Sequence, residues 1–177
     1  MANQNTLKNR ANLVTHIVSE AGGEIIGRTK LQKLAYLLEL SGHGYGIPFE
    51  YKHYGPYSEQ LAEATQAATL FGLMTERKQS TNWGGFYSIF STEVQSKSSW
   101  SNPTRQQIAA AAVEANAVEL ELAATAAFLA DDGCKDPWEE TARRKPEKCA
   151  NGRLDRAKIL YSSLKSIPGT ESLPDIV

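Results

Sequence analysis

The chain has 177 residues with 19 basic and 20 acidic side chains, so its formal net charge is −1. This length fits one domain with a sizeable core, and the balanced charge gives no global attraction to a polyanion. Two cysteines are too few for a disulfide scaffold, no apolar run reaches the ~18 residues of a membrane span, and the N-terminus lacks a signal-peptide core. We therefore expect a cytoplasmic protein.

The first predicted element is an amphipathic helix over residues 6–21, which carries Leu7, Val14 and Val18 on one face. A Gly-Gly pair is expected to end this helix. Residues 24–27 are expected to form a short connector whose isoleucines pin it to the core.

The second predicted helix, residues 29–40, is apolar on nearly every side. A helix of this kind is normally interior, so we expect the other elements to surround it, with Thr29 as its N-cap. Its remaining polar residues need hydrogen-bond partners or an opening to the surface. These residues are Lys30, Gln32 and Lys33.

Residues 49–53 alternate aromatic and polar side chains, which is the period of a strand. The following Tyr-Gly-Pro-Tyr, residues 54–57, is expected to be a tight turn, because proline has no ladder donor and glycine permits a sharp reversal. Ser58 is positioned to cap a third helix over residues 58–71. We expect this helix to turn Leu61, Ala64, Ala68 and Phe71 inward.

Residues 73–78 and 86–92 are predicted to form a hairpin that turns at residues 82–85. Together with residues 49–53, they would make a three-stranded antiparallel sheet with a wing like that of a winged helix. The helix before the hairpin carries Glu59 and Glu63 and no lysine or arginine, so phosphate would repel it. We do not expect this wing to read DNA.

Further helices follow a polar linker at residues 95–102, the best candidate boundary within the chain. Asn102 and Pro103 are a typical N-cap and first helical residue. The helices are predicted at residues 104–115, 117–130, 137–144 and 153–166, where the first two are separate or form one helix with a bend at Asn116. The end of the chain, residues 171–177, is expected to be a loose tail. The elements predict an α+β fold, predominantly α-helical, around a buried helix.

Several stretches resemble the Panacea domain, also called the SocA-like or phage-associated antitoxin domain. They are LQKLAYLLEL, FEYKHYGPYSEQL, a helix ending in FGLM, and later helices with an RKP turn. The resemblance covers roughly residues 6–167 and implies one domain over residues 1–170, which the linker would divide into residues 1–95 and 103–167. In the family motif, Tyr36 here follows Ala35, where bulkier residues are usual, and no fused helix-turn-helix segment is seen.

The resemblance implies a non-enzymatic bacterial antitoxin, which neutralises the toxin of a two-gene toxin–antitoxin pair by direct binding or hands it to a protease. Tyrosine and tryptophan are favoured at recognition surfaces because they contribute area with few rotors to freeze. We therefore expect the toxin to contact a ridge of side chains, although the same motif residues could equally maintain the fold. The ridge residues are Lys30, Lys33, Tyr54, Tyr57 and Trp83.

Two other functions stay open from the sequence. In residues 135–165, called here the basic segment, basic side chains outnumber acidic ones, which suits a DNA-binding regulator or an acidic partner. An enzyme would use His43, which nothing nearby orients, or Cys149 with a pKa lowered by Lys145 and Lys148. Because no metal-ligand spacing or nucleotide motif occurs, no metal, cofactor or enzymatic activity is expected.

Overall fold

The computed structural model describes residues 2–95 and 101–176, with residues 2–5 described by their backbone alone. Its helices are α1 Ala2–Glu20, α2 Arg28–Leu40, α3 Glu59–Leu70, α4 Pro103–Glu114, α5 Ala117–Asp131, α6 Pro137–Arg144 and α7 Arg153–Lys165. Its strands are β1 Glu24–Ile26, β2 Glu50–Lys52, β3 Gly55–Tyr57, β4 Thr75–Ser80 and β5 Phe86–Ser91. This is the predicted α+β, predominantly helical class. Most of the predicted linker, residues 96–100, lies outside the described residues.

Helix α2 is the interior element that its sequence predicts. Every residue from 31 to 38 is buried, and α4, α5, β1 and β3 all contact the helix. The expected N-cap at Thr29 is wrong, because the helix begins one residue earlier and Gly27 is its N-cap, without a side-chain hydrogen bond. Gly27 has φ 100° and donates its N–H to Ser88 O at 2.8 Å, so the hairpin fixes the chain just before the helix.

The sheet differs from the predicted one in its third strand. Residues 24–26 are not a connector but strand β1, and the sheet order is β1-β5-β4. Ile25 pairs with Phe90, and both side chains are buried. Burial of an isoleucine and an aromatic side chain from paired strands stabilises this short pairing. The aromatic strand β2 instead pairs with β3 in a separate two-stranded sheet.

The Tyr-Gly-Pro-Tyr sequence is therefore mostly strand, and the chain reverses at residues 53–54. Gly55 opens β3 with φ 82°. A Cβ at this position would lie 2.5 Å from Thr125 Oγ1 on α5. Glycine is thus required here for both its backbone conformation and its close approach to α5.

The predicted helix caps at Ser58 and Asn102 are confirmed. Ser58 Oγ accepts from Leu61 N at 3.1 Å and Asn102 Oδ1 accepts from Arg105 N at 3.1 Å. Helices α4 and α5 are separate, and Asn116 caps the second. Phe71 is an exception among the predicted core residues, since it lies just past the end of α3 and is half exposed.

The expected loose tail is wrong for residues 171–176; Val177 lies outside the described residues. Leu173 is buried in the core. Tyr161 donates its hydroxyl hydrogen to Pro174 O, and Lys165 Nζ donates to Leu173 O, each at 2.8 Å. Burial of one leucine and these polar contacts hold the end of the chain against α7. None of the described helices is long and apolar enough to cross a membrane.

Candidate partner-binding site

The polar residues of α2 hold the β2–β3 corner in place. Gln32 Nε2 donates to Ser58 O at 2.9 Å, and Ser58 N donates back to Gln32 Oε1 at 2.8 Å. Lys33 Nζ donates to Pro56 O at 2.8 Å. These are the partners that polar residues on an interior helix require.

A buried carboxylate on α5 holds the other side of the same corner. Lys145 Nζ donates to Glu121 Oε1 at 2.8 Å and to His53 O at 2.9 Å. Lys148 Nζ donates to both carboxylate oxygens of Glu121, at 2.6 and 2.8 Å. The same ammonium lies 4.6 Å from the centre of the Tyr54 ring. We call Lys33, Glu121, Lys145 and Lys148 the buried charge cluster.

Lys33 belongs to the interior and not to a surface ridge, since only 1% of it is exposed. Burial lowers the pKa of its amine to about 8, and the positive charges of Lys145 and Lys148 act in the same direction against the attraction of Glu121. The charged form is therefore held at a cost in free energy. The residue fixes the corner from below and forms part of the floor of a groove, with little of its own surface exposed.

Lys30 also has a structural task. Its ammonium donates to Val113 O at 2.6 Å and to Ala115 O at 2.8 Å. These carbonyls lie at the C-terminal end of α4, where a positive charge complements the helix dipole. Burial lowers the pKa of Lys30. The two lysines of the expected ridge thus hold elements of the fold together.

Three residues of the expected ridge, Lys33, Tyr54 and Tyr57, line one groove. Tyr54 and Tyr57 border a cavity of about 390 Å³ between the start of α2, α3 and the hairpin. Tyr54 is 54% exposed. Three carboxylates, those of Glu59, Glu63 and Glu76, also border the groove. Tyrosine rings around a cavity are typical of recognition sites.

Trp83 lies apart from this groove, in the turn of the β4–β5 hairpin. The turn is closed by Thr81 N, which donates to Gly85 O at 2.8 Å, and by Gly85 N, which donates to Thr81 Oγ1 at 2.9 Å. Trp83 is 85% exposed and Phe86 is 75% exposed. We call residues 81–86 the hairpin tip. It presents two large aromatic side chains to solvent.

Phe86 is an exposed residue that the sequence prediction did not select. It shares a strand face with Phe90, which is buried in the core. Alternation along β5 identifies the shared face, but the sequence does not show where the core ends beneath it. The only feature of the sequence that could have indicated the exposure of Phe86 is its position, since it is the strand residue next to the turn.

The basic segment is largely neutralised by carboxylates of the same chain. Its ion pairs are Arg143–Glu140, Arg144–Glu140, Lys145–Glu121, Lys148–Glu121, Arg156–Glu119 and Lys165–Asp175. A cation with an internal partner must lose that partner before it can neutralise a phosphate. The positive electrostatic potential at the surface of the basic segment is therefore weaker than its count of basic residues suggests.

The structure shows the surroundings of the two residues considered for catalysis, His43 and Cys149. His43 Nε2 lies 2.6 Å from Gly169 O, and Asn102 Nδ2 lies 3.3 Å from His43 Nδ1. The ring is therefore oriented, contrary to the expectation, and both nitrogens contact partners. The expected lowering of the Cys149 pKa is wrong, because burial and the charge of Glu147 raise it.

Comparison with known proteins adds a partial likeness. Over 81 residues, the chain is 35% identical to the uncharacterized protein YwgA of Bacillus subtilis strain 168. The match covers 46% of this chain and 46% of YwgA, so the chain spans less than half the length of this relative. No protein-family profile matches the chain, and no solved structure matches it. The chain is thus similar over part of its length to a protein whose name states no activity.

Proposed function

We propose that the chain is a non-enzymatic protein-interaction domain of the bacterial cytoplasm that acts as an antitoxin. It binds the toxin of a two-gene pair and masks it, or hands it to a protease. The observation that carries the proposal is the exposed aromatic pair at the hairpin tip, Trp83 and Phe86. The resemblance to the Panacea domain supplies the class of partner.

The hairpin tip has the properties of an anchor. An exposed tryptophan stabilises little in the free protein, and burying it against a partner removes a large apolar area from water. Tryptophan is also enriched among the few residues that carry most of the binding free energy of an interface. A hairpin with a closed turn presents the ring with little loss of conformational entropy on binding.

The β2–β3 corner supplies a second, better ordered surface. Lys33, Lys145 and Lys148 hold its backbone and Tyr54 from beneath, so the exposed face of Tyr54 is positioned before any partner arrives. These contacts fix the corner in the free protein. A prepositioned tyrosine lowers the entropy cost of association.

The experiment uses the product of the reading frame beside the gene of this chain. Expressed alone, that product should arrest growth, and co-expression of this chain should restore growth through a stoichiometric complex. Trp83→Ala should weaken the complex by about 30-fold, the effect of losing a central aromatic anchor. Phe71→Ala is the matched control, since Phe71 is also an exposed aromatic residue and lies outside the hairpin.

Two outcomes would decide against the proposal or refine it. If the two purified proteins form no complex, or if growth is restored without one, direct neutralisation is wrong. If Trp83→Ala and Phe71→Ala have equal effects, the hairpin tip is not the anchor. A protease adaptor is distinguished by the half-life of the toxin, which should fall when this chain is present and stay constant under simple masking.

A further inference from the structure

The β4 strand of the hairpin carries two exposed cations, whereas most cations of the basic segment are bound by carboxylates. Arg77 and Lys78 are exposed on β4. Within residues 2–95 and 101–176, neither forms an ion pair with a carboxylate. The neighbouring carboxylate, that of Glu76, is already bound by Arg28 at 2.7 Å and by Ser88 at 2.5 Å. The two positive charges are thus available to a partner.

No acidic residue occurs from residue 77 to residue 92, which spans most of the hairpin. The same stretch contains Trp83, Phe86 and Tyr87. From residue 77 onward, the hairpin therefore combines two positive charges with its aromatic side chains and has no acidic residue. This combination is local, because the chain as a whole has a net charge of −1.

The strand register places one cation on each face of the hairpin. Lys78 pairs with Ser88, which lies two residues from Phe86, so Lys78 and Phe86 share a face. Arg77 pairs with Ile89 and shares the opposite face with Tyr87. Each face thus has an aromatic side chain next to a cation. A partner that accepts the tip would meet positive charge on both sides.

We propose that the hairpin tip docks on an acidic face of the toxin. Trp83 and Phe86 enter an apolar depression, and Arg77 and Lys78 contact carboxylates at its edge. This inference rests on the proposed function and adds the chemistry of the partner. Complementary charge around an aromatic anchor accelerates encounter and fixes the orientation of the complex.

A protein fits these observations better than nucleic acid or a membrane does. Two cations neutralise two phosphates, which gives little of the counterion release that drives binding to DNA. Two cations also give limited attraction to an anionic bilayer. The carboxylates of Glu59 and Glu63 on α3 would add repulsion from any extended polyanion that reached this helix.

The test reverses the hairpin charges and measures the affinity for the purified toxin, the product of the neighbouring reading frame. Arg77→Glu/Lys78→Glu should weaken binding by about tenfold at low ionic strength, with a smaller effect as salt is added. The control is Lys135→Glu/Arg153→Glu, which changes the charge equally within the basic segment and should leave the affinity near that of the wild type. Arg77→Gln/Lys78→Gln should have an intermediate effect and serves if the reversed hairpin does not fold.

Binding of the wild type and of the same variants is also measured to vesicles of phosphatidylcholine with phosphatidylserine and to a duplex oligonucleotide. If the toxin binds all these variants equally, the acidic-face inference is overturned while the proposed function stands. If the wild-type chain does not bind the toxin, the proposed function fails and this inference fails with it. If charge reversal abolishes binding to vesicles or duplex and leaves toxin binding unchanged, the hairpin serves that other surface.

Discussion

Two clusters in this protein each join one glutamate to two cationic side chains, in different surroundings. Glu121 binds the ammonium groups of Lys145 and Lys148, and Glu140 binds the guanidinium groups of Arg143 and Arg144. Each carboxylate thus has two cationic partners. The side chains of Glu121 and Lys145 are 4% exposed, whereas that of Arg143 is 71% exposed.

The two clusters differ in their exposure to solvent and not in the lengths of their ion pairs. All of these contacts are between 2.6 and 2.8 Å. At the surface, water replaces a lost partner and salt screens the remaining charges. In the interior, a charge without its partner stays desolvated, and the cost falls on folding. Equal distances therefore do not imply equal contributions to stability.

The largest effect is expected from Glu121→Gln. The amide keeps the shape of the side chain but removes the negative charge, which leaves the buried Lys145 and the partly buried Lys148 without a counter-charge. We expect a loss of about 3–5 kcal/mol in the free energy of unfolding, measured by urea denaturation. A loss no larger than that of Glu140→Gln would show that the buried cluster is hydrated and that the comparison is wrong.

The pH dependence of stability tests the third lysine of the buried charge cluster. The pKa of Lys33 is about 8 in the folded protein, below its ordinary value of 10.5. Between these values the unfolded chain binds more protons than the folded one, so stability rises with pH. The cost of the buried charge is fully present below pH 8 and is progressively relieved above it.

We expect this group to contribute about 2 kcal/mol of added stability between pH 8 and about pH 9.5. The measurement compares urea denaturation of the wild type and of Lys33→Met across this range. The variant lacks the amine, so its profile should not rise with the wild type. Parallel profiles would mean that the amine of Lys33 keeps an ordinary pKa in the folded protein.

Two buried tyrosines extend the comparison to uncharged groups. The hydroxyl of Tyr36 has no hydrogen-bond partner among the described residues, whereas that of Tyr161 donates to Pro174 O at 2.8 Å. Tyr36→Phe should raise the free energy of unfolding by about 1 kcal/mol, since it removes an unsatisfied polar group. Tyr161→Phe, the matched control, should lower it by about the same amount. Thermal unfolding of both variants checks these signs. If Tyr36→Phe also lost stability, the hydroxyl of Tyr36 would have a hydrogen-bond partner in solution.

The smallest effect is expected from Glu140→Gln. Hydrogen bonds from Arg143 and Arg144 lower the pKa of this carboxyl to about 2, yet water and salt compensate for its loss at the surface. The shift in urea midpoint should be about a fifth or less of that of Glu121→Gln and should shrink further at high salt. If Glu140→Gln lowered the free energy of unfolding as much as Glu121→Gln does, independently of salt, the exposed cluster would not be the weaker of the two and the comparison would be wrong.

Local signals in the sequence predicted much of this fold. The interior position of α2 follows from its apolar surface on all sides, and the caps at Ser58 and Asn102 follow from single polar residues. The pairing of strands was harder to predict from the sequence. Residues 24–26 are too short to show a period, and their strand character depends on Phe90, which is distant in the sequence.

The candidate site shows the same division. The sequence identified Tyr54, Tyr57 and Trp83 as aromatic residues next to turns, and the structure places the tyrosines at a groove and the tryptophan at the hairpin tip. It did not show that Lys30 and Lys33 point at backbone carbonyls. A lysine on an apolar helix satisfies its charge by reaching either solvent or an internal acceptor, and its position in the sequence is the same in both cases.

The sequence by itself determined which segments are helical, which helix is interior and where most helices begin, because these features depend on residues a few positions apart. The tertiary structure alone decided which cations are neutralised. Glu121 meets Lys145 and Lys148 across 24 and 27 residues, while Arg77 and Lys78 pair with no carboxylate within the described residues. Net charge is a sum over the sequence, but the field at a surface depends on which opposite charges the fold brings within contact distance.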